Sequence, residues 1–194
     1  MKRYVASAAA LGLAGLLAAC AQQGHGAHTH HGGAAAHAGM PILPKQMAVA
    51  SLSPTQGQAA TGLVMFHQRP EGGVMVHAWV SGLKPNGEHG FHVHEVGSCA
   101  STDGTSAGGH YNPTGTPHGP QHGPHHAGDM PSLKADGNGV AEARFTLKTV
   151  SIGSGQADLT GRSVIVHANP DDYTTQPTGN AGARIACGVI ARHP

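Results

Sequence analysis

Charge and aromatic side chains are both scarce in this chain of 194 residues, of which 11% are charged and 4% aromatic. Eleven Lys and Arg are balanced by ten Asp and Glu, so the formal net charge is only +1. A chain this close to neutral has no basic footprint for a phosphate backbone, which excludes a nucleic-acid partner. No stretch carries the apolar period of a long amphipathic helix, so helical bundles are excluded as well. Cysteine is rare, at three residues. Histidine is not: there are 17. So much imidazole in a weakly charged chain points to metal.

The N-terminus stands apart from the rest. Lys2 and Arg3 precede an apolar segment, Val5 to Ala19, that is too short to span a bilayer, and residues 1–19 read as an export signal. The segment closes on Leu17-Ala18-Ala19-Cys20, which resembles a bacterial lipobox. Cys20 is then the lipidated first residue of the mature protein, with a plain secretory signal ending in Cys as the alternative. Ala21, where Asp would signal inner-membrane retention, fits an outer-membrane anchor facing the periplasm of a bacterial cell envelope. Residues 20–45 form a low-complexity, flexible tether rich in Gly, Ala and His. Its His25, His28, His30, His31 and His37 either hold metal loosely or are a solvated spacer. Residues 46–194 remain as one domain of ordinary size. With Cys20 assigned to lipid, Cys99 and Cys187 are left as one pair in an oxidising compartment, where a disulfide is expected.

Within that domain the apolar period is two. Val74, Val76, Ala78 and Val80 alternate with Met75, His77 and Trp79 between the turn signals Pro70-Glu71-Gly72-Gly73 and Lys84-Pro85-Asn86-Gly87. Residues 58–68, 139–148, 161–167 and 183–191 are also strand-like. Short strands, frequent turns and no helix predict an all-β, antiparallel sandwich or barrel. The stretch from Val96 to Asp136 has no usable period and is rich in Gly, Pro and His. A loop of that length needs a function or cross-links to hold it.

Both are on offer. In GFHVHEVGSC, residues 90–99, His92 and His94 share one face of a strand while His89, Phe91 and Val93 take the other. His167 ends another strand. Three imidazoles from rigid strands, with no thiolate, suit Cu(II). The loop itself carries His110, His118, His126 and Asp129, a reasonable tetrahedral zinc set. Spacing alone does not say that the two sets are adjacent.

Five motifs in order, G-F-H-V-H-E (90–95), A-G-G-H-Y-N-P (107–113), H-x-G-D (126–129), G-R-S-V-I-V-H (161–167) and G-N-A-G-A-R-I-A-C-G-V-I (179–190), resemble copper/zinc superoxide dismutase over about residues 46–192. The resemblance implies an eight-stranded Greek-key β-barrel with long metal-binding and electrostatic loops, disproportionating superoxide with copper and zinc. It implies His92, His94, His110 and His167 as copper ligands and His110, His118, His126 and Asp129 as zinc ligands, His110 bridging the two. Asp171 resembles the carboxylate that hydrogen-bonds one ligand of each metal, with Asp172 as its competitor. Arg184 resembles the residue that guides the anion. His89 and Arg162 read as structural, His77, His122 and His125 as solvated, with His125 a rival to His126. The early Cys99 resembles the bacterial periplasmic branch and leaves monomer and homodimer both open. A non-catalytic copper- or zinc-binding lipoprotein is the other function class; an electron-transfer copper protein fits less, since those sites use a Cys thiolate.

Overall fold

The alternation read from the sequence sets the strands. The structure, a computed structural model, describes residues 46–194; the expected export signal, Cys20 and the His-rich tether lie outside the described residues. In chain order the strands are β1 (Met47–Pro54), β2 (Thr61–Gln68), β3 (Val74–Ser81), β4 (Glu88–His89), β5 (Phe91–His94), β6 (Leu133–Lys134), β7 (Ala141–Leu147), β8 (Ser163–His167), β9 (Arg184–Val189) and β10 (Ala191–Arg192). One eight-stranded sheet runs β5-β8-β9-β1-β2-β3-β7, with β10 paired to β1. All its pairings are antiparallel. The jumps from β5 to β8, β9 to β1 and β3 to β7 are the long returns of a Greek key. β4 continues into β5 past Gly90 and pairs with β6, which lies against β7, so the sheet curls towards closure.

The core fills the inside of that curl. On β3, Val74, Val76, Ala78 and Val80 are fully buried, and Val64 and Phe66 of β2 and Phe91 and Val93 of β5 meet them there. Each of the larger side chains contributes roughly 1.5–3 kcal/mol by leaving water. The β2–β3 turn and the one at Lys84–Gly87 lie where Gly and Pro mark them; Asn86 takes a left-handed φ of 56° that few residues other than Gly tolerate.

Two differences from the sequence reading stand out. The stretch 96–136 is not irregular throughout: Thr105–Ala107 form a 3₁₀ turn, and Leu133 is a fully buried core residue on β6. Neither shows a period because each is too short to repeat one. Cys99 and Cys187 form the expected disulfide, with a Cα–Cα distance of 5.8 Å. Around it, Ala107, Ile165 and Cys187 make a small apolar cluster separate from the main core. This cluster is on the outer side of the sheet, since Val164 and Val166, the neighbours of Ile165, belong to the main core. The loop therefore covers the outside of β8 and β9, and every residue of β8 is buried.

Candidate metal centre

The outside of β5 is where the histidines meet. Phe91 and Val93 point into the core, so His92 and His94 point outward, yet both are buried because the loop folds over them. Single bridges tie His94 to His110 and His92 to Asp129, drawing the loop onto the strand. At the end of β8 an irregularity between Val166 and His167 sets His167 opposite Arg184 on β9. His89 faces the other way; its Nδ1 donates to the His167 carbonyl at 2.8 Å.

The hydrogen bonds of these rings leave one nitrogen of each free. His94 Nδ1 donates to the Gly108 carbonyl (2.9 Å), His167 Nδ1 to the Gly182 carbonyl (3.1 Å) and His92 Nε2 to Asp171 Oδ2 (2.7 Å). Their remaining nitrogens, together with His110 Nε2, are buried without a hydrogen-bond partner. Each such group, left bare, costs about 1–3 kcal/mol. Four of them within 4.8 Å of one another form a donor set that could hold a metal ion.

A second set adjoins the first. Asp129 Oδ1 lies 3.0 Å from His110 Nδ1, 2.9 Å from His118 Nδ1 and 3.5 Å from His126 Nδ1. Four donors on a tetrahedral zinc with bonds of about 2.0–2.1 Å sit roughly 3.3 Å apart, so the spacing fits. His110 belongs to both sets, one nitrogen to each. His125, the rival of His126, is half-buried with its Nδ1 on the Gly123 carbonyl, and His122 is exposed. His77, expected to be solvated, is instead half-buried, with Nε2 2.9 Å from Glu142 Oε1 on the neighbouring strand.

Asp171 joins the sets. It is buried, and while Oδ2 accepts from His92, Oδ1 accepts from His118 Nε2 at 2.9 Å. Asp172, its competitor by sequence, is exposed and accepts from Thr174 and Thr175. Gly179 has a φ of +63°, and a Cβ there would fall 1.9 Å from Asp171 Oδ1, so only glycine leaves this carboxylate its place. Gln176 clamps His118 from outside: the His118 N–H donates to its Oε1, and its Nε2 donates to the His118 carbonyl.

Electrostatics separate the rings. Burial, followed by the hydrogen bond and charges around it, leaves His110 lowered to about 4. Burial and the neighbouring His92 lower His167 to about 3, and burial with His110 takes His94 well below its usual value. Burial opposes the charge of Asp129 and of Asp171 too, but their histidine hydrogen bonds outweigh it and hold both carboxyls well below the usual range. His118 is the exception. Burial lowers it, yet the hydrogen bonds and charges of Asp129 and Asp171 outweigh that and raise it to about 9. In the metal-free protein at pH 7 His118 then holds a proton that zinc must displace, whereas His110 is already neutral. Zinc loading at pH 7 is expected to release about one proton, read as buffer-dependent enthalpy in calorimetry. No proton release would show that His118 is neutral before the metal arrives.

Arg184 borders an opening beside the first set. Its Nη1 donates to the Gly104 carbonyl (2.7 Å) and its Nη2 to the Gly108 carbonyl (2.6 Å). Burial lowers its pKa from the ordinary value, though a guanidinium stays charged at neutral pH. With His94, His167 and Thr178 it lines a cavity of about 130 Å³. Arg162 takes a structural place: its Nη1 donates to the Glu95 carbonyl, and its guanidinium lies 4.4 Å over the Tyr111 ring. Thr178, Gln176 and the carbonyls of Gly104, Gly108 and Gly182 were not singled out in the sequence. A carbonyl has no side-chain identity to read, and only the glycines at 108, 179 and 182 hinted at close approaches.

Residues 60–190 match the family described as copper/zinc superoxide dismutase. Copper/zinc superoxide dismutase 2 of Aquifex aeolicus is 42% identical over 123 residues, covering 61% of this chain and 72% of that protein. A superoxide dismutase-like protein of Bacillus subtilis is 36% identical over 136 residues, covering 68% of this chain and 69% of its own length. A crystal structure of a SOD-like protein from Bacillus subtilis superposes with a TM-score of 0.66 at 34% identity, covering 73% of this chain and 96% of that one.

Proposed function

The chain belongs to the copper/zinc superoxide dismutase family, with copper and zinc as its cofactors, and from that premise we propose that it disproportionates superoxide at a copper centre joined to zinc through His110. Two superoxide anions and two protons become one dioxygen and one hydrogen peroxide. The observation that carries this reading is His110, which offers Nε2 to one buried donor set and Nδ1 to the other. His92 Nδ1, His94 Nε2, His167 Nε2 and His110 Nε2 would hold copper; His110, His118 and His126 through Nδ1 and Asp129 through Oδ1 would hold zinc. When bound, copper would supply the one-electron redox chemistry that the reaction needs, and zinc would be held by the Nδ1 side of His110 together with His118, His126 and Asp129.

The protein's own groups do the rest. Asp171 and the carbonyls of Gly108 and Gly182 fix ring orientation, so each open nitrogen faces inward. His110 Nε2 is placed to hold a proton and pass it to the peroxide. Arg184 offers a fixed positive charge in an opening that suits a very small anion.

The direct test is catalysis by protein carrying one copper and one zinc. Dismutation no faster than that of free buffer would turn the reading into the alternative, a protein that only binds or delivers metal. Arg184→Ala is expected to keep both metals and lose about tenfold or more in kcat/KM, with weaker dependence on ionic strength, because a steering charge is screened by salt. An unchanged kcat/KM would make Arg184 a purely structural tie between β9 and the loop.

We also propose that the protein works in the periplasm, anchored through Cys20 to the outer membrane, protecting the envelope from superoxide. The support is the signal-like segment ending in Leu17-Ala18-Ala19-Cys20. Cys20→Ser should move active protein from membranes to the soluble periplasmic fraction. Partitioning of that variant into detergent, as for the parent, would refute the anchor.

A further inference from the structure

The outer face of β1, β2 and β3 carries sulfur and imidazole where such a face usually carries charge. Ala48, Ala50, Val64, Phe66, Val74 and Val76 are buried in the core, so Met47, Met65, His67, Met75 and His77 point outward from the same strands. Among the described residues this patch holds three of the four methionines. The pairing register sets them in two adjoining rows. Met47 on β1, His67 on β2 and Met75 on β3 are direct partners across three strands. Met65 and His77 are partners in the next row. Direct partners on one face have Cβ atoms about 4.5–5.5 Å apart, and diagonal neighbours about 7–8 Å, within reach of long side chains. Met65 is the diagonal neighbour of both Met47 and Met75.

The nitrogen is available too. His67 Nδ1 is buried with no hydrogen-bond partner, while His77 has its Nε2 engaged by Glu142. A row of methionines alone would be ordinary cover for a half-buried sheet. An imidazole with an unsatisfied nitrogen set in register between two methionines is a different matter, since apolar cover gains nothing from it.

We propose that this face binds one Cu(I) ion through the sulfurs of Met47 and Met75 and the ring of His67, with Met65 as a further sulfur donor. Thioethers are soft donors that select Cu(I), while Zn(II) and Cu(II) are better served by the nitrogen and carboxylate sets of the metal centre. The donor set is neutral, as suits a singly charged ion. None of its residues belongs to the metal centre, which is built on β5, β8 and the two loops over them. The site therefore stands or falls independently of the dismutase reading.

Trp79 supplies the reporter. It is the only Trp in the chain, is 49% exposed, and lies two residues beyond His77 on the same outward face. Protein already loaded with copper and zinc is titrated without oxygen with Cu(I) in acetonitrile, and separately with Ag(I), a soft ion that does not change oxidation state. Saturable quenching of Trp79 fluorescence at about one equivalent is expected, with sulfur neighbours in the X-ray absorption of the added copper. Met47→Leu with Met75→Leu conserves volume and apolar character, so folding and dismutation should persist while affinity for the added ion falls roughly tenfold or more. Three results would overturn the site: no added Cu(I) or Ag(I) retained beyond the copper and zinc already present, equal retention of Zn(II), or added Cu(I) that has only nitrogen neighbours and is held equally well by the double variant. The last would place the ion on histidines elsewhere in the chain.

Discussion

His110→Ala is expected to remove dismutation by two orders of magnitude or more, the scale on which a positioned proton donor alone acts, about 10²–10⁴-fold. The substitution takes a nitrogen from each donor set at once, so the loss does not stop at proton transfer. Asp129 Oδ1 loses a histidine neighbour at 3.0 Å, and the second set falls to two imidazoles and a carboxylate. Zinc content should drop after dialysis, and the copper electron paramagnetic resonance signal should change as one nitrogen donor is lost. The barrel should remain, because His110 lies outside the main core and on no core strand. A variant with parental activity would end the two-metal assignment; one that has lost activity but kept its zinc and its copper spectrum would confine His110 to proton transfer.

Opening the Cys99–Cys187 bond carries the largest expected cost in stability. The two residues are 88 apart in sequence, and closing a loop of that length stabilises by roughly 4–5 kcal/mol in the chain-entropy picture, an upper figure. In a domain of this size the corresponding fall in Tm is on the order of 10–15 °C. From ligand positions alone, zinc would be expected to loosen first, since all four of its donors lie in the tethered loop. The hydrogen bonds shift that expectation. The segment next to the bond contains Gly104 and Gly108, which hold Arg184, and Gly108 also orients His94. Cys99→Ser with Cys187→Ser should therefore lower kcat/KM while zinc is still in place, and then release zinc on warming. Calorimetry and metal analysis on the same sample separate the two. A Tm within a degree or two of the parent would show that the closed loop does not set stability.

The strands were legible because alternation leaves a mark wherever one face is buried. β3 shows it most clearly, with Val74, Val76, Ala78 and Val80 inside and Met75, His77 and Trp79 outside. β6 was invisible because Leu133 and Lys134 are too few to alternate. The donor residues were legible by their chemistry, as were Asp171 and Arg184 through the motifs around them. What holds them was much less so. His94, His167 and Arg184 are all oriented by glycine carbonyls, and a carbonyl is the same at every position in a sequence. The choice of Asp171 over Asp172 likewise depended on burial, which two adjacent aspartates do not reveal. The sulfur patch was in view as an alternating strand, but its rows needed the register of three strands.

β5 keeps its two kinds of side chain on opposite sides of one backbone, Phe91 and Val93 against the barrel and His92 and His94 against the loop. Such a division has an evolutionary consequence. A lineage can exchange donors one point substitution at a time without disturbing the barrel interior, so inheritance of the fold and inheritance of the chemistry are separable. A His94→Val chain should melt close to the metal-free parent, since the Gly108 carbonyl keeps Arg184 as a donor, and a collapse of that variant would show that the two inheritances are bound together. If they are separable, descendants that stay folded after their catalysis has lapsed are within easy mutational reach, and such a barrel is free to be recruited for work unrelated to oxygen.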